Sequence, residues 1–283
     1  MSERQAEAEA HVKRIVEKSG TSFGLGMRIL PEFPRNAMYG VYAFCREIDD
    51  IADEPGEEAE KRRGLEAWRQ EIEALYQGRP TDLTTIALLP AVEAYDLPKQ
   101  EFIELIEGML MDVDLDFGSA PRLDRTGLSL YCRRVAGAVG MLSVRIFGEP
   151  DATQFALAMG DALQLTNILR DIGEDAEEGR IYLPIDRIRD AGIEATEPTE
   201  IVRDPRLSAV CDGVAAEAEA RFRDADELAN RFDRKKLKPA LIMGSVYRGY
   251  LDRLQARGFA DPTATVSMSK WAKAGRALRV YLG

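Results

Sequence analysis

Apolar side chains recur at intervals of three and four along most of this chain, the period of a helix that buries one face. Within residues 36–53 that face is Met38, Val41, Tyr42, Cys45, Ile48 and Ala52. The same pattern predicts helices over 57–76, 99–117, 125–147, 151–175, 207–231 and 236–257, whereas the alternation that marks strands occurs only in short runs. Breaks are expected at Gly20, Pro31, Pro34, Pro55-Gly56, Gly78, Pro80, Pro90, Pro98, Pro121, Gly148, Pro150, Pro184, Gly192, Pro198 and Pro205. No Ser/Gly linker and no repeat divides the chain. The expectation is an all-α protein forming a single domain over residues 1–283.

Two polar stripes interrupt this pattern. Asp49 and Asp53 stand four apart, as do Asp171 and Asp175, so each pair projects from one helix face with about 5–6 Å between Cβ atoms. In the second segment Gln164 and Asn167 extend the stripe, opposite Ala162, Leu163, Leu165, Ile168, Leu169 and Ile172. The first pair falls at a helix C-terminus, where the helix dipole disfavours negative charge. Either stripe alone reads as a solvated acidic face. Two of them, built from short carboxylates and carboxamides with only Arg46 and Arg170 as local relief, point instead to cations held between two helices. Oxygen-only donors suit Mg²⁺, which keeps several waters and is completed by substrate phosphates. Asp49, Asp53, Asp171, Asp175 and Asn167 are the candidate ligands, and Asp50 is expected to turn toward Arg46. A third cluster, Asp112, Asp114 and Asp116, reads as a mainly solvated or structural acidic face.

Charge and rare residues narrow the function. With 38 basic and 49 acidic residues the net charge is −11, which disfavours nucleic acid as a partner. Cys45, Cys132 and Cys211 are too few and too scattered for a disulfide framework or a cysteine zinc site, and read as reduced core thiols. His11, the only histidine, has no obvious partner in sequence, which argues against a Ser/His/Asp triad. The first residues carry no apolar leader and no run of eighteen apolar residues occurs, so a cytoplasmic address is expected. From Pro262 onward there is no acidic residue. Lys270, Lys273, Arg276 and Arg279 alternate there with Trp271, Ala274, Leu278 and Leu282, the pattern of a basic amphipathic helix suited to a membrane surface; the alternatives are a terminal helix packed on the body or a disordered tail.

Several longer motifs resemble the squalene and phytoene synthase family of head-to-head prenyl transferases. They are Ser22-Phe23, Tyr42 to Arg46, Asp49 to Asp53, Tyr131 to Gly137 with Val139-Gly140, Gln164 to Asp171, and Gly179 to Pro184. The likeness covers residues 18–257, and residues 38–55 and 247–254 look most like the bacterial presqualene diphosphate synthases of hopanoid pathways. The resemblance implies an isoprenoid synthase helical fold with a central cavity. It also implies condensation of two farnesyl diphosphates to presqualene diphosphate, with Mg²⁺, or Mn²⁺ in its place, bridging the two Asp motifs to the diphosphates. By the same matching Ser22, Arg46, Tyr131, Gln164, Asn167, Arg170 and Tyr247 fall around the diphosphate, with Ser19 and Thr21 nearby. Arg180 and Tyr182 are weaker candidates.

An apolar lining would shield the carbocation, and Phe23, Met27, Val139, Leu142 and Leu163 are candidates for it. Gly137 and Gly140, beside Ala136 and Ala138, would kink the helix along the cavity. The base that takes the last proton is released diphosphate or Tyr42. A phytoene synthase acting on C20 chains and a complete NADPH-dependent squalene synthase are the competing enzymes. No G-x-G-x-x-G fingerprint occurs, and NADPH is not expected. A non-catalytic helical interaction protein is the alternative outside catalysis. Expected partners are prenyl diphosphates, downstream squalene-pathway enzymes and the membrane periphery.

Overall fold

The computed structural model describes residues 3–19, 23–118 and 122–282, and all regular structure among them is helical. The first half comprises α1 (Glu3–Ser19), α2 (Phe23–Met27), α3 (Glu32–Asp53), α4 (Glu58–Tyr76), α5 (Leu83–Tyr95) and α6 (Lys99–Phe117). Then α7 (Arg125–Cys132) runs through a π-helical turn, Arg133–Gly137, into α8 (Ala138–Ile146). The rest is α9 (Thr153–Glu177), α10 (Ile185–Asp190), α11 (Pro198–Ile201), α12 (Leu207–Ala229), α13 (Lys238–Arg257) and α14 (Lys270–Leu282).

Local chemistry sets several boundaries. The Asp82 carboxylate accepts from the Thr84 amide at 2.7 Å and starts α5; Asp124 accepts from Gly127 at 2.7 Å and starts α7. Gly118, at φ 66°, closes α6 in the left-handed conformation that favours glycine. Pro34 does not delay α3, because amides in the first turn have no intrahelical acceptor to lose. Pro90 does not break its segment either and lies inside α5. The helix survives the missing amide there because Asp82 caps it and Ile86, Leu88 and Ala91 are buried on its inner side. His11, on α1, is not isolated: its Nε2 lies 3.1 Å from Glu47 Oε1 on α3.

Two apolar cores flank a central space. One unites α3, α4, α6 and α8 through Val41, Phe44, Ile48, Leu65, Phe102 and Leu142; the other unites α9, α12 and α13 through Leu165, Leu169, Val214, Phe222 and Leu251. The helix after Tyr131 deviates as its small residues suggested. A Cβ on Gly140 would stand 2.7 Å from the Ala156 carbonyl oxygen, so the α8 and α9 backbones meet there only because that side chain is absent. The π turn carries Val135 and Ala136 into the space between the cores.

Candidate active site

That space begins as a polar cavity of about 620 Å³ between α3 and α9. Tyr42, Arg46, Asp49 and Asp53 line it from α3, and Gln164, Asn167, Arg170, Asp171 and Asp175 from α9. Helical spacing on each element aims these groups at the same void, and the apolar residues of both helices fill the flanking cores. The two acidic motifs, distant in sequence, therefore face one cavity. Cys45 also lines it, while Cys132 and Cys211 are buried; all three are free thiols.

Arginines hold the carboxylates. Arg46 reaches Asp49 at 3.1 Å and also pairs with Asp50, which leaves Asp50 off the cavity wall. Arg170 binds its neighbour Asp171 through Nε at 2.7 Å and Nη2 at 2.5 Å. Arg180 joins Asp53, at 2.7 Å, to Asp116 on α6, at 2.6 and 2.8 Å. Even so, negative charge is undercompensated. Burial, then the nearby Asp53, pushes the Asp49 carboxyl up to about 6, and burial followed by Asp171 pushes Asp175 up to about 7.

An apolar cavity of about 130 Å³ adjoins the polar one, and Phe23, Met27, Met38, Val135, Val139, Gln164 and Asn167 border both. Its other walls include Gly140, Phe147, Phe155, Met159 and Leu163. The aromatic rings of Tyr42 and Tyr247 stand 6.4 and 6.2 Å from that of Phe23. Four of the five expected lining residues therefore face the void. The exception, Leu142, is fully buried on the opposite side of α8, in the core with α3 and α6.

The Asp112 cluster takes the structural one of its two expected roles: Asp112 is 4 % exposed and accepts from Tyr182 at 2.7 Å and Tyr131 at 3.3 Å. Two other expectations change. Tyr131 lines the polar cavity, but its hydroxyl is directed at Asp112 and its ring stacks on Tyr182 at 5.0 Å. Tyr247 is not on the cavity wall; it is buried behind Arg170, whose guanidinium lies 5.9 Å from its ring centre. Arg180 and Tyr182, weak candidates by sequence, are the residues that tie the acidic cavity to α6. Their visible signals were the Gly179 to Pro184 motif and the i,i+4 spacing of Asp112 and Asp116. Ser19 donates its hydroxyl to the Val16 carbonyl, and Ser22 and Thr21 lie outside the described residues.

Whether this donor set suits a divalent cation can be judged from its chemistry. Among the described residues no three carboxylate, histidine or cysteine groups converge as a ready-made metal cage, because the arginines hold the carboxylates in separate pairs. Mg²⁺ needs only one or two carboxylates when phosphates supply the remaining oxygens. Asn167 lines the same void as Asp49 and Asp175, two carboxyls raised by burial and then by a neighbouring carboxylate. The set fits a hard cation that arrives with a phosphorylated ligand.

Known proteins are similar to this chain over nearly its whole length. Presqualene diphosphate synthase of Rhodopseudomonas palustris is 46% identical over 256 residues, covering 90% of both chains. The 15-cis-phytoene synthase of Synechococcus elongatus is 32% identical, covering 95% of this chain and 90% of its own. The crystal structure of a dehydrosqualene synthase superposes with a TM-score of 0.84 at 27% identity, covering 98% of this chain and 96% of its own. Residues 16–272, a longer stretch than the motifs alone delimit, match the squalene/phytoene synthase family. With two acidic helices facing one cavity and this match across its length, the chain belongs to the squalene/phytoene synthase family.

Proposed function

We propose that this enzyme condenses two farnesyl diphosphates head to head into presqualene diphosphate, releasing one diphosphate and one proton. The observation that carries this reading is that the two acidic stripes open directly onto an apolar cavity, with Gln164 and Asn167 at the border. A diphosphate and its prenyl tail need those two environments side by side. The higher identity to a presqualene diphosphate synthase than to a phytoene synthase supports C15 over C20 chains.

Asp49, Asp53, Asp171 and Asp175, with Asn167, would hold Mg²⁺, which supplies Lewis-acid stabilisation to a departing diphosphate. Arg46, on the cavity wall, adds positive charge for the same oxygens. Arg170 is oriented by Asp171 and by the Tyr247 and Tyr250 rings, 5.9 and 5.3 Å from its guanidinium carbon. Tyr42 and Phe23 present aromatic faces that stabilise an allylic cation, while Met27, Val139 and Leu163 exclude water from it. Capture by the double bond of the second substrate and loss of a proton, to released diphosphate or to the Tyr42 oxygen, close the cyclopropane. Residues 1–283 act as one catalytic unit at the cytoplasmic periphery of the membrane, ahead of enzymes that reduce and rearrange the product.

The test is mass-resolved product analysis with farnesyl and geranylgeranyl diphosphates, each with and without NADPH. The expected product retains a diphosphate, with one inorganic diphosphate released per two substrates consumed. Squalene accompanied by NADPH consumption, or phytoene formed at the higher kcat/KM, would overturn the product assignment.

A further inference from the structure

Helix α14 is attached through Lys273, Arg276 and the apolar Ala272 and Val280, and turns its largest apolar side chains outward. Arg276 pairs with Asp252 at 2.5 Å and donates to the Ser245 carbonyl at 3.2 Å. The Lys273 ammonium lies 5.4 Å from the centre of the Tyr250 ring, and Lys238 of α13 donates to the Tyr281 carbonyl at 2.8 Å. Gly249 makes room for this seat, since a Cβ there would stand 2.4 Å from Arg276 Nε.

The opposite face carries Trp271, 88 % exposed, with Leu278, 55 % exposed, and Leu282, 75 % exposed, one stripe at helical spacing, and exposed Tyr281 beside it. No residue of α14 is buried. Exposed Lys270 and Arg279 flank the stripe, and no acidic residue follows Pro262 in a chain whose net charge is −11.

We propose that α14 is an interfacial helix that docks the protein on an anionic lipid surface. This builds on the membrane-peripheral reading above and names the face responsible. Exposed Leu side chains enter the acyl boundary, Trp271 lies at headgroup level, and the two outward cations meet anionic headgroups. The local positive charge favours such a surface, whereas two copies of this face would bring like charges together. Docking also places the apolar cavity close to the lipid. The short helix α2 separates them: Leu25 packs, as Val266 and Ala272 do, against the cluster of Val246, Tyr250 and Met268, and Phe23, Gly26 and Met27 line the cavity.

Co-sedimentation of the full-length protein with vesicles of phosphatidylglycerol and phosphatidylcholine tests this, together with Trp271 emission in a Trp68→Phe background. Binding should exceed that to pure phosphatidylcholine, weaken with salt, and shift Trp271 emission to the blue. The pair Leu278→Glu and Leu282→Glu should lower partitioning about tenfold or more, and the pair Lys270→Glu and Arg279→Glu about tenfold on anionic vesicles. Both variants should keep the wild-type melting curve and turnover of detergent-dispersed substrate.

No vesicle binding by the wild type, or unchanged binding by the leucine pair, overturns the proposal. So does loss of a solution dimer in that variant without vesicle binding, which would assign the face to a second copy. The binding assay contains no substrate, so a wrong product assignment leaves it intact, and failure to bind leaves prenyl transfer intact.

Discussion

Asp49 with Asp53 on α3, Asp171 with Asp175 on α9, and Asp112 with Asp116 on α6 share one spacing, yet the first two pairs face a cavity and the third is tied to protein side chains. Spacing puts two carboxylates on one helix face; what packs against that face decides their chemistry. Around the cavity Asp49 and Asp171 draw their cations, Arg46 and Arg170, from their own helices, and after burial a neighbouring carboxylate is what raises the Asp49 and Asp175 carboxyls. Asp116, by contrast, is bound by Arg180 and lies 3.6 Å from Lys61 Nζ, and Asp112 is held by two tyrosine hydroxyls. The cavity pairs are incompletely compensated, as a cation and diphosphate would require. The α6 pair is satisfied internally and braces the cavity wall.

The largest expected effect separates the two classes directly. Asp49→Asn and Asp171→Asn keep the side-chain shape but remove charge, so turnover should fall roughly 10³-fold with a raised Mg²⁺ requirement and an unchanged far-UV spectrum. Near-normal turnover of both variants at low Mg²⁺ would place these aspartates with the α6 pair as structural groups.

Arg180 connects the two regions and should report on both. It is 9 % exposed, and Arg180→Met leaves Asp116 without its guanidinium, which should cost about 2–4 kcal/mol in urea denaturation. Turnover should fall less than in the cavity variants. A stability change near zero would show that Lys61 alone compensates Asp116.

Asp112 offers a test by pH. Burial, outweighing its tyrosine hydrogen bonds and Arg180, pushes its carboxyl up to about 7 from 3.8. The folded protein therefore keeps this proton at pH values where the unfolded chain has lost it. The resulting stabilisation is complete below about pH 4 and is lost as pH rises through 7. Asp112→Asn cannot ionise, so its stability relative to wild type should improve between pH 4 and pH 8 by about 1–3 kcal/mol in paired melting curves. A pH-independent difference would mean that this carboxyl does not titrate in that range.

The smallest effect is expected at Asp50, a neighbour in sequence that points away from the cavity to a half-exposed Arg46. Asp50→Asn should change stability by about 0.5 kcal/mol or less and leave turnover within about twofold of wild type. A loss comparable to that of Asp49→Asn would remove the distinction between facing the void and merely lying near it.

Helix class, the major helix spans, both acidic stripes and the family motifs were legible in the sequence, because each is a pattern repeated over a few neighbouring residues. An interruption after Tyr131, which takes the form of a π-helical turn, was legible in the likeness of its small residues to the family motif. The continuity of α5 across Pro90 was not, because burial of its inner face outweighs the missing hydrogen bond. Neither was the setting of Asp112 and Tyr131, nor the place of Tyr247 behind Arg170. Arg180 reaches Asp53 across 127 positions and Asp116 across 64, and Tyr182 reaches Asp112 across 70. The sequence by itself therefore determined which groups share a helix face. Only the tertiary structure decided which face meets a cavity, which meets an arginine and two tyrosines, and which, on α14, meets solvent, because those partners come from chain segments that local periodicity does not relate.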